Sequence, residues 1–360
     1  MNIGFFSPTI NKIGGGELVT LSMIHALEAK KHKIIIYSAQ KINQAHIQNF
    51  LGQKIRFDKE TNIRPNIFDP YDLENLYLNL LKSYKFHFKC DLLIDTFSNV
   101  MFPWTDAVYF QGRVRTTVLP KGAKGLIFAP YKAFLNRSIK HVESKKKILM
   151  SCSKFTAKSI ERLTGLSVNV LYPSISDFFK IGNSFYKKDT IVSVTRIAPD
   201  KQPETILQIA KLAPDDFSFT IIGSCRSPSE LYTLTRLKEY SRKLGLNDKV
   251  KFLLNVSREK QREVLQKAKV YLHPFIQYEA FGIAVAEAMS AGCIPIVPDV
   301  GGLKEIVPRH LRYNSLEEAA LLVQKAISNW SLSRTQDSLK IANKFSQDMF
   351  CRNFLKIMQL

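Results

Sequence analysis

At 360 residues the chain is too long for one ordinary core and about right for two domains of roughly 150 to 200 residues each. Its 45% hydrophobic and 23% charged content is that of a globular protein, and no stretch approaches the ~18 to 20 uninterrupted apolar residues of a membrane span. The formal net charge of +21, from 52 Lys+Arg against 31 Asp+Glu, favours phosphate-bearing partners: nucleic acid, anionic headgroups or phosphorylated small molecules.

The opening Met1–Ile10 lacks a basic region followed by an apolar core, so it reads as a first strand rather than a secretory signal. Short β-branched runs then alternate with helical patterns. The first half predicts strands at 2–7, 33–38, 54–57, 91–96, 107–110, 148–153 and 168–172, with helices at 17–30, 72–82 and 156–163 among them. The second half predicts strands at 190–194, 218–222, 250–254, 270–273 and 294–297. Helices at 204–212, 230–244, 258–268 and 283–291 separate these. Nearly continuous apolar strands alternating with helices imply parallel sheets covered on both faces, and the pattern occurs twice. The fold class is therefore α/β, with two doubly wound sheets in series. The boundary falls at Tyr172–Pro173, and three helical stretches without a strand follow Tyr313. The five cysteines are scattered, odd in number and without a CxxC pair, which argues for a reducing cytosol and against a zinc site.

The sharpest segment is Tyr278-Glu279-Ala280-Phe281-Gly282-Ile283-Ala284-Val285-Ala286-Glu287. A strand precedes it, and Gly292 closes the helix where a left-handed cap is wanted. The free amides of Gly282 and Ile283, with the positive end of the helix dipole, make an anion site that needs no basic side chain. Glu279 in the loop can accept from sugar hydroxyls. Glu287, just over one turn into the helix, can take a pair of ribose hydroxyls. Each acid alone is ordinary.

The ordered set resembles the family 4 glycosyltransferases, whose signature is a glutamate, seven residues and a second glutamate, with Phe-Gly just after the first; Glu279, Phe281, Gly282 and Glu287 stand in place. Asp299-Val300-Gly301-Gly302-Leu303-Lys304-Glu305 resembles the family's Gly-Gly-x-x-Glu turn, which implies that Gly301 and Gly302, with Phe281, Gly282 and Ile283, lie against the donor. The likeness is strongest from Ile191 to Val307, while the segment 121–147, with Ser151–Thr156 and Leu171-Tyr172-Pro173, looks most like members that add mannose to polyprenyl-diphosphate-linked oligosaccharides. It implies a GT-B fold of two Rossmann-like domains facing across a cleft: 1–173 on the acceptor side and 174–344 binding the nucleotide sugar, with a C-terminal helix at about 345–360 packing back on the first.

The same resemblance implies roles for further residues. Arg196 and Lys201, five apart after a strand, are expected on the donor diphosphate, where two cations do the electrostatic work that a divalent metal does in other transferases. Gly14-Gly15-Gly16, before the first helix, offers a loop that can lie flat against a ligand, Gly15 and Gly16 matching the family's glycine pair. Gln111 stands where many members have a histidine; it can bind a hydroxyl but cannot act as a base. Asp95 ends a strand towards the cleft, and Arg113 and Arg115 are candidates for an acceptor phosphate. His273, before Pro274, reads as structural or donor-shaping. The expected chemistry is retaining transfer of a hexose from a GDP- or UDP-linked donor, without metal or other cofactor. The acceptor is a polyprenyl-linked or other glycan.

The segment 121–147 joins Phe128, Tyr131, Phe134 and Leu135 to Lys132, Arg137 and Lys140, and 82–89 has similar character. Basic, aromatic-bearing helices suit an anionic membrane surface, so a cytoplasmic protein attached peripherally is expected. Three rival readings carry their own signs. A soluble-acceptor synthase of the same fold leaves its product in water. A sugar-nucleotide epimerase turns over its nucleotide without an acceptor. A nucleic-acid-binding protein lacks the zinc finger, RRM or arginine-rich arm that its class would show.

Overall fold

A computed structural model describes residues 1–51, 55–62, 75–113, 123–142, 147–182 and 187–360. The chain divides into two compact units, Met1–Ser174 with Gln347–Leu360, and Ile175–Ser346. Each is built on one wholly parallel sheet, as the repeated strand–helix alternation predicts.

In the first unit the strands are β1 (Asn2–Phe6), β2 (Lys33–Ser38), β3 (Lys59–Asn62), β4 (Leu92–Asp95), β5 (Ala107–Phe110), β6 (Ile148–Ser151) and β7 (Asn169–Val170). They lie in the order β3-β2-β1-β4-β5-β6-β7. The order reverses at β1, which pairs with β2 through Ile3 and Ile34 and with β4 through Ile3 and Leu92. Helices α1 (Gly15–Glu28), α2 (Gln44–Leu51), α3 (Asn75–His87), α4 (Ala123–Val142) and α5 (Lys154–Thr164) make the crossovers. The expected third strand at 54–57 is displaced: β3 begins at Lys59 and reads Lys-Glu-Thr-Asn. Among the described residues it is an edge strand paired with β2 alone, so it need not be apolar on both faces, and residues 55–57 of the expected strand precede it as a loop. Helix α2 has no counterpart among the expected elements.

The second unit repeats the plan. Strands β8 (Lys188–Arg196), β9 (Ser218–Ser224), β10 (Val250–Leu254), β11 (Ala268–Leu272), β12 (Ile294–Pro298) and β13 (Arg312–Tyr313) lie in the order β10-β9-β8-β11-β12-β13. The two-residue β13 was not expected. Helices α6 (Glu204–Leu212), α7 (Pro228–Lys243), α8 (Arg258–Lys267), α9 (Ile283–Ser290), α10 (Leu303–Ile306), α11 (Leu316–Ser328) and α12 (Leu332–Ala342) cover it. Ile191, Ile206, Phe219, Ile221 and Val270 are at most 1% exposed, and burying each such side chain contributes about 1.5–3 kcal/mol. Helix α9 is buried almost all round and ends in a glycine-capped turn: Gly292 has φ 80°, and Cys293 N–H donates to Ala288 at 2.9 Å.

The last helix, α13 (Gln347–Met358), packs on α1 within the first unit, burying Phe350 and Phe354.

Candidate functional site

In a doubly wound sheet the loops leaving the strands' carboxyl ends at the point of reversal form the natural ligand crevice. In the second unit that point lies between β8 and β11, which pair through Ile191 and Val270 although two strands separate them in sequence. The loop after β8 carries Lys201 at the end of a short 3₁₀ turn, Pro199–Lys201, and the loop after β11 carries Glu279. Across the reversal, Lys201 Nζ stands 3.2 Å from Glu279 Oε2.

His273 completes this cluster. Its amide donates to Ile296 at 2.9 Å and its carbonyl accepts from the Tyr313 hydroxyl at 2.5 Å, so the backbone is pinned on both sides. Its Nδ1 lies 3.4 Å from the Tyr271 hydroxyl, and its Nε2 lies 3.8 Å from Glu279 Oε2, beyond hydrogen-bond length. Burial raises the proton affinity of Glu279, but the adjacent His273 and Lys201 outweigh it and hold the carboxyl at about 2. Glu279 is therefore ionised at neutral pH.

Arg196 does not join the cluster. The guanidinium Nη2 donates to both oxygens of Asp200, at 3.0 and 2.8 Å, and Glu230 lies 3.8 Å away. The two cations expected together on a diphosphate are thus held apart: one on Glu279, the other paired within its own turn.

Gly282 precedes α9 with φ 99°, a left-handed conformation that an added Cβ would resist, since Leu303 Cδ2 lies only 2.6 Å from where it would sit. No side chain caps this helix. Ile283 follows it and opens the helix, while Phe281 is buried edge-on against Phe345, centroids 5.2 Å apart. Gly301 and Gly302 serve a different neighbour from the one expected. A Cβ on either would strike the carbonyl oxygen of Glu279 or Ala280, and the Gly302 amide donates to Glu279 O at 2.9 Å. Their missing side chains admit the protein's own backbone, so they position the acidic loop.

Glu287 is 6% exposed, with Arg258 Nη2 3.6 Å from its Oε1. Burial raises the carboxyl's pKa and Arg258 opposes the rise. Arg258 in turn lies over the ring of Phe179 at 4.6 Å. No sequence signal marked this partner, which lies on another helix. The charges of both Glu279 and Glu287 reach the Tyr271 hydroxyl, whose pKa is pushed up first by burial and then by these two carboxylates, so the acids bracket one buried group.

The first unit has its own cluster at the reversal between β1 and β4. Gly16, in the first turn of α1, lies so close to Gln111 that a Cβ would displace the amide head, and Gln111 Nε2 donates to Thr96 O. Thr20 Oγ1 donates to Thr96 Oγ1 at 2.7 Å. At this helix start Glu17 turns back so that its carboxylate accepts from the Gly14 amide at 2.9 Å and from Thr9 Oγ1 at 2.6 Å. Asp95 departs from expectation. It is fully buried, and its carboxylate accepts from the amides of Phe97 and Ser98, both at 2.9 Å, and from the Ser98 hydroxyl, so it shapes its own turn. Arg113 is exposed, and Arg115 lies outside the described residues.

The family described as "Glycosyl transferases group 1" matches residues 174–336. Residues 174–336 are a glycosyl transferases group 1 domain. The stretch contains Arg196, Lys201, Glu279, Glu287 and the glycine turn. Beyond this domain, a Caenorhabditis elegans protein named GDP-Man:Man(3)GlcNAc(2)-PP-Dol alpha-1,2-mannosyltransferase is 22% identical over 95% of this chain and 86% of its own length. The Mus musculus protein of that name is 30% identical over 45% of this chain. The matches to the Dictyostelium discoideum and Mus musculus relatives span only 37% and 36% of those proteins. Among solved structures, Anabaena HepE in complex with UDP and glucose has a TM-score of 0.76 at 14% identity, covering 100% of this chain and 99% of that one. The fold is GT-B: two parallel-sheet, Rossmann-like domains, of which the second is the group 1 domain.

Proposed function

We propose that the chain is a retaining, metal-independent hexosyltransferase that uses a nucleotide diphosphate sugar. The carrying observation is the contact of Lys201 with Glu279 across the sheet reversal of the group 1 domain. Ionised Glu279 accepts hydroxyls of the donor sugar. The amides opening α9 at Gly282 and Ile283 receive the diphosphate, Glu287 the ribose. Lys201 and Arg196 exchange their present partners for the phosphates, and their charge stabilises the leaving group as the glycosidic bond breaks. Gln111, beside Gly16 in the first unit, is a candidate hydroxyl-binding group near the acceptor, with Arg113 and Arg115 for an acceptor phosphate. The departing phosphate takes the acceptor's proton.

The names of the relatives favour mannose from a GDP-linked donor and a glycan carried on a polyprenyl-type diphosphate. A surface of the first unit suits such an acceptor. On α3 and the two residues after it, Leu81, Tyr84 and Phe88 are exposed beside Lys85 and Lys89, although Lys82 is buried. On α4, Leu126, Lys132 and Arg137 are exposed, and Trp104 joins the two helices, 5.0 Å from Tyr84 and 6.0 Å from Phe134. Tyr131 is buried, and the side chains of Phe128, Leu135 and Lys140 lie outside the described residues. No helix among the described residues is long and apolar enough to cross a membrane, so we assign this patch to peripheral contact with anionic lipid.

The test is transfer of labelled hexose from GDP-mannose, and separately from UDP-glucose, to a polyprenyl-diphosphate-linked oligosaccharide. Label extracted into organic solvent, with the anomeric configuration retained and unaffected by EDTA, is expected. Loss in EDTA restored by Mn²⁺ contradicts the metal-independent reading. Label remaining in water indicates a soluble acceptor, and nucleotide turnover without acceptor indicates an epimerase.

A further inference from the structure

Buried polar atoms almost always find partners, and the exceptions call for an explanation. His273 Nε2 is such an exception: it is buried, lacks a hydrogen bond, and faces Glu279 Oε2 at 3.8 Å. The ring is 6% exposed and cannot turn freely, since its backbone is tied to Ile296 and Tyr313 and the ring lies stacked on Tyr271.

The protons in this cluster are limited. The Tyr271 hydroxyl has one, and it lies 3.2 Å from Val194 O and 3.4 Å from His273 Nδ1. If that proton goes to Val194, Nδ1 must donate to the tyrosine oxygen, and a neutral ring then turns a bare lone pair at an ionised carboxylate. The ring avoids this repulsion by carrying a proton on Nε2, either as the other tautomer, with Tyr271 donating to Nδ1, or as imidazolium. Both put an N–H in line with Glu279. Meanwhile Lys201, the present partner of Glu279, is the group that the proposed donor site needs on the diphosphate. One ammonium cannot fully neutralise both.

Resting on that donor site, we infer that His273 is a positioning residue whose Nε2–H takes over the Glu279 carboxylate when a diphosphate draws Lys201 away. Closing the gap from 3.8 Å to hydrogen-bond length needs only a small rotation about the Glu279 side chain. The groups facing the ring are Glu279 from the loop after β11 and Tyr271 on β11; Lys201, from the loop after β8, stands behind Glu279, and Tyr313 on β13 holds the backbone carbonyl of His273. Glu287 acts at one remove through Tyr271.

Two measurements on the full chain separate this role from plain packing. The first uses no nucleotide: the His273 ring nitrogens are observed by 15N NMR in the wild type and in Glu279→Gln. The wild type is expected to carry a proton on Nε2, and that N–H resonance to move in the variant, because the facing carboxylate is gone. The second compares His273→Gln, whose amide N–H reaches the place of Nε2, with His273→Phe. With donor Kd changed little, His273→Phe is expected to lower kcat by about tenfold or more, and His273→Gln to restore most of it. A bare Nε2, an Nε2–H resonance that Glu279→Gln leaves unmoved, or equal loss in both variants overturns the inference. If the wild type binds no sugar nucleotide at all, the donor reading fails by itself, and the NMR comparison still decides whether His273 serves Glu279.

Discussion

The amide of Gly302 donates to the carbonyl of Glu279 at 2.9 Å, so the glycine turn after β12 and the acidic loop after β11 are one piece of hydrogen-bonded backbone. Gly301→Ala is expected to destabilise by about 1–3 kcal/mol, because φ 50° and the adjacent Glu279 carbonyl both oppose a Cβ. Gly245→Ala is the control: φ is 72° but nothing lies within 4 Å, so only the backbone cost of about 1–2 kcal/mol applies. Urea denaturation checks the difference. Donor affinity should fall for Gly301→Ala and stay unchanged for Gly245→Ala.

Those glycines show where sequence reasoning stops. Strands β8, β9, β11 and β12 were legible because a central parallel strand must be apolar on both faces. The edge strand β3 need not be apolar on both faces and was placed too early. Glu279 and Glu287 were legible as a spaced pair, but the spacing could not reveal that Arg258 holds the second acid from another helix. Glycine composition at Gly14–Gly16 and Gly301–Gly302 suggested ligand contact. At the first site Glu17 takes the Gly14 amide; at the second the close neighbour is the chain itself. Asp95 looked available because sequence does not show that the next three residues fold back on its carboxylate.

Glu279 contributes pH-dependent stability. Its folded pKa, about 2, lies below the ordinary value of 4.5, so the stabilisation is full above pH 4.5 and is lost as pH falls towards 2. The shift corresponds to about 3 kcal/mol. Glu279→Gln should therefore be less stable than the wild type at pH 7, and the gap should close on acidification through that window. A constant gap in a series of pH-dependent denaturation curves contradicts the ion-paired geometry.

Arg258→Met strands Glu287 as a buried charge. The expected loss at pH 7.5 is about 3–5 kcal/mol, the usual consequence of removing one partner of a buried pair. Because burial already raises the Glu287 pKa, the carboxyl of the variant takes up a proton as pH falls, and the loss should shrink towards pH 5. The double variant Arg258→Met/Glu287→Leu should recover most of the stability. Failure of the second change to rescue the first contradicts a direct pairing.

The exposed basic and aromatic surface of α3 and α4 predicts co-sedimentation with vesicles containing phosphatidylglycerol. Binding should be strong at low salt, weaken towards 0.5 M NaCl, and drop several-fold in Lys85→Glu/Lys89→Glu. Binding indifferent to phosphatidylglycerol content at low salt removes the membrane role without touching the donor site.

The most direct measurement of the central claim is calorimetric titration of GDP-mannose and UDP-glucose into the wild type, Lys201→Met, Glu279→Gln and Glu287→Ala. One of the two donors should bind the wild type. Lys201→Met and Glu287→Ala should weaken that donor by about tenfold or more, the loss of one charge-assisted contact. Glu279→Gln should weaken the sugar nucleotide while leaving the free nucleoside diphosphate nearly unaffected. Binding of either donor with equal affinity to all four proteins would contradict the placement of the sugar nucleotide at the β8–β11 reversal.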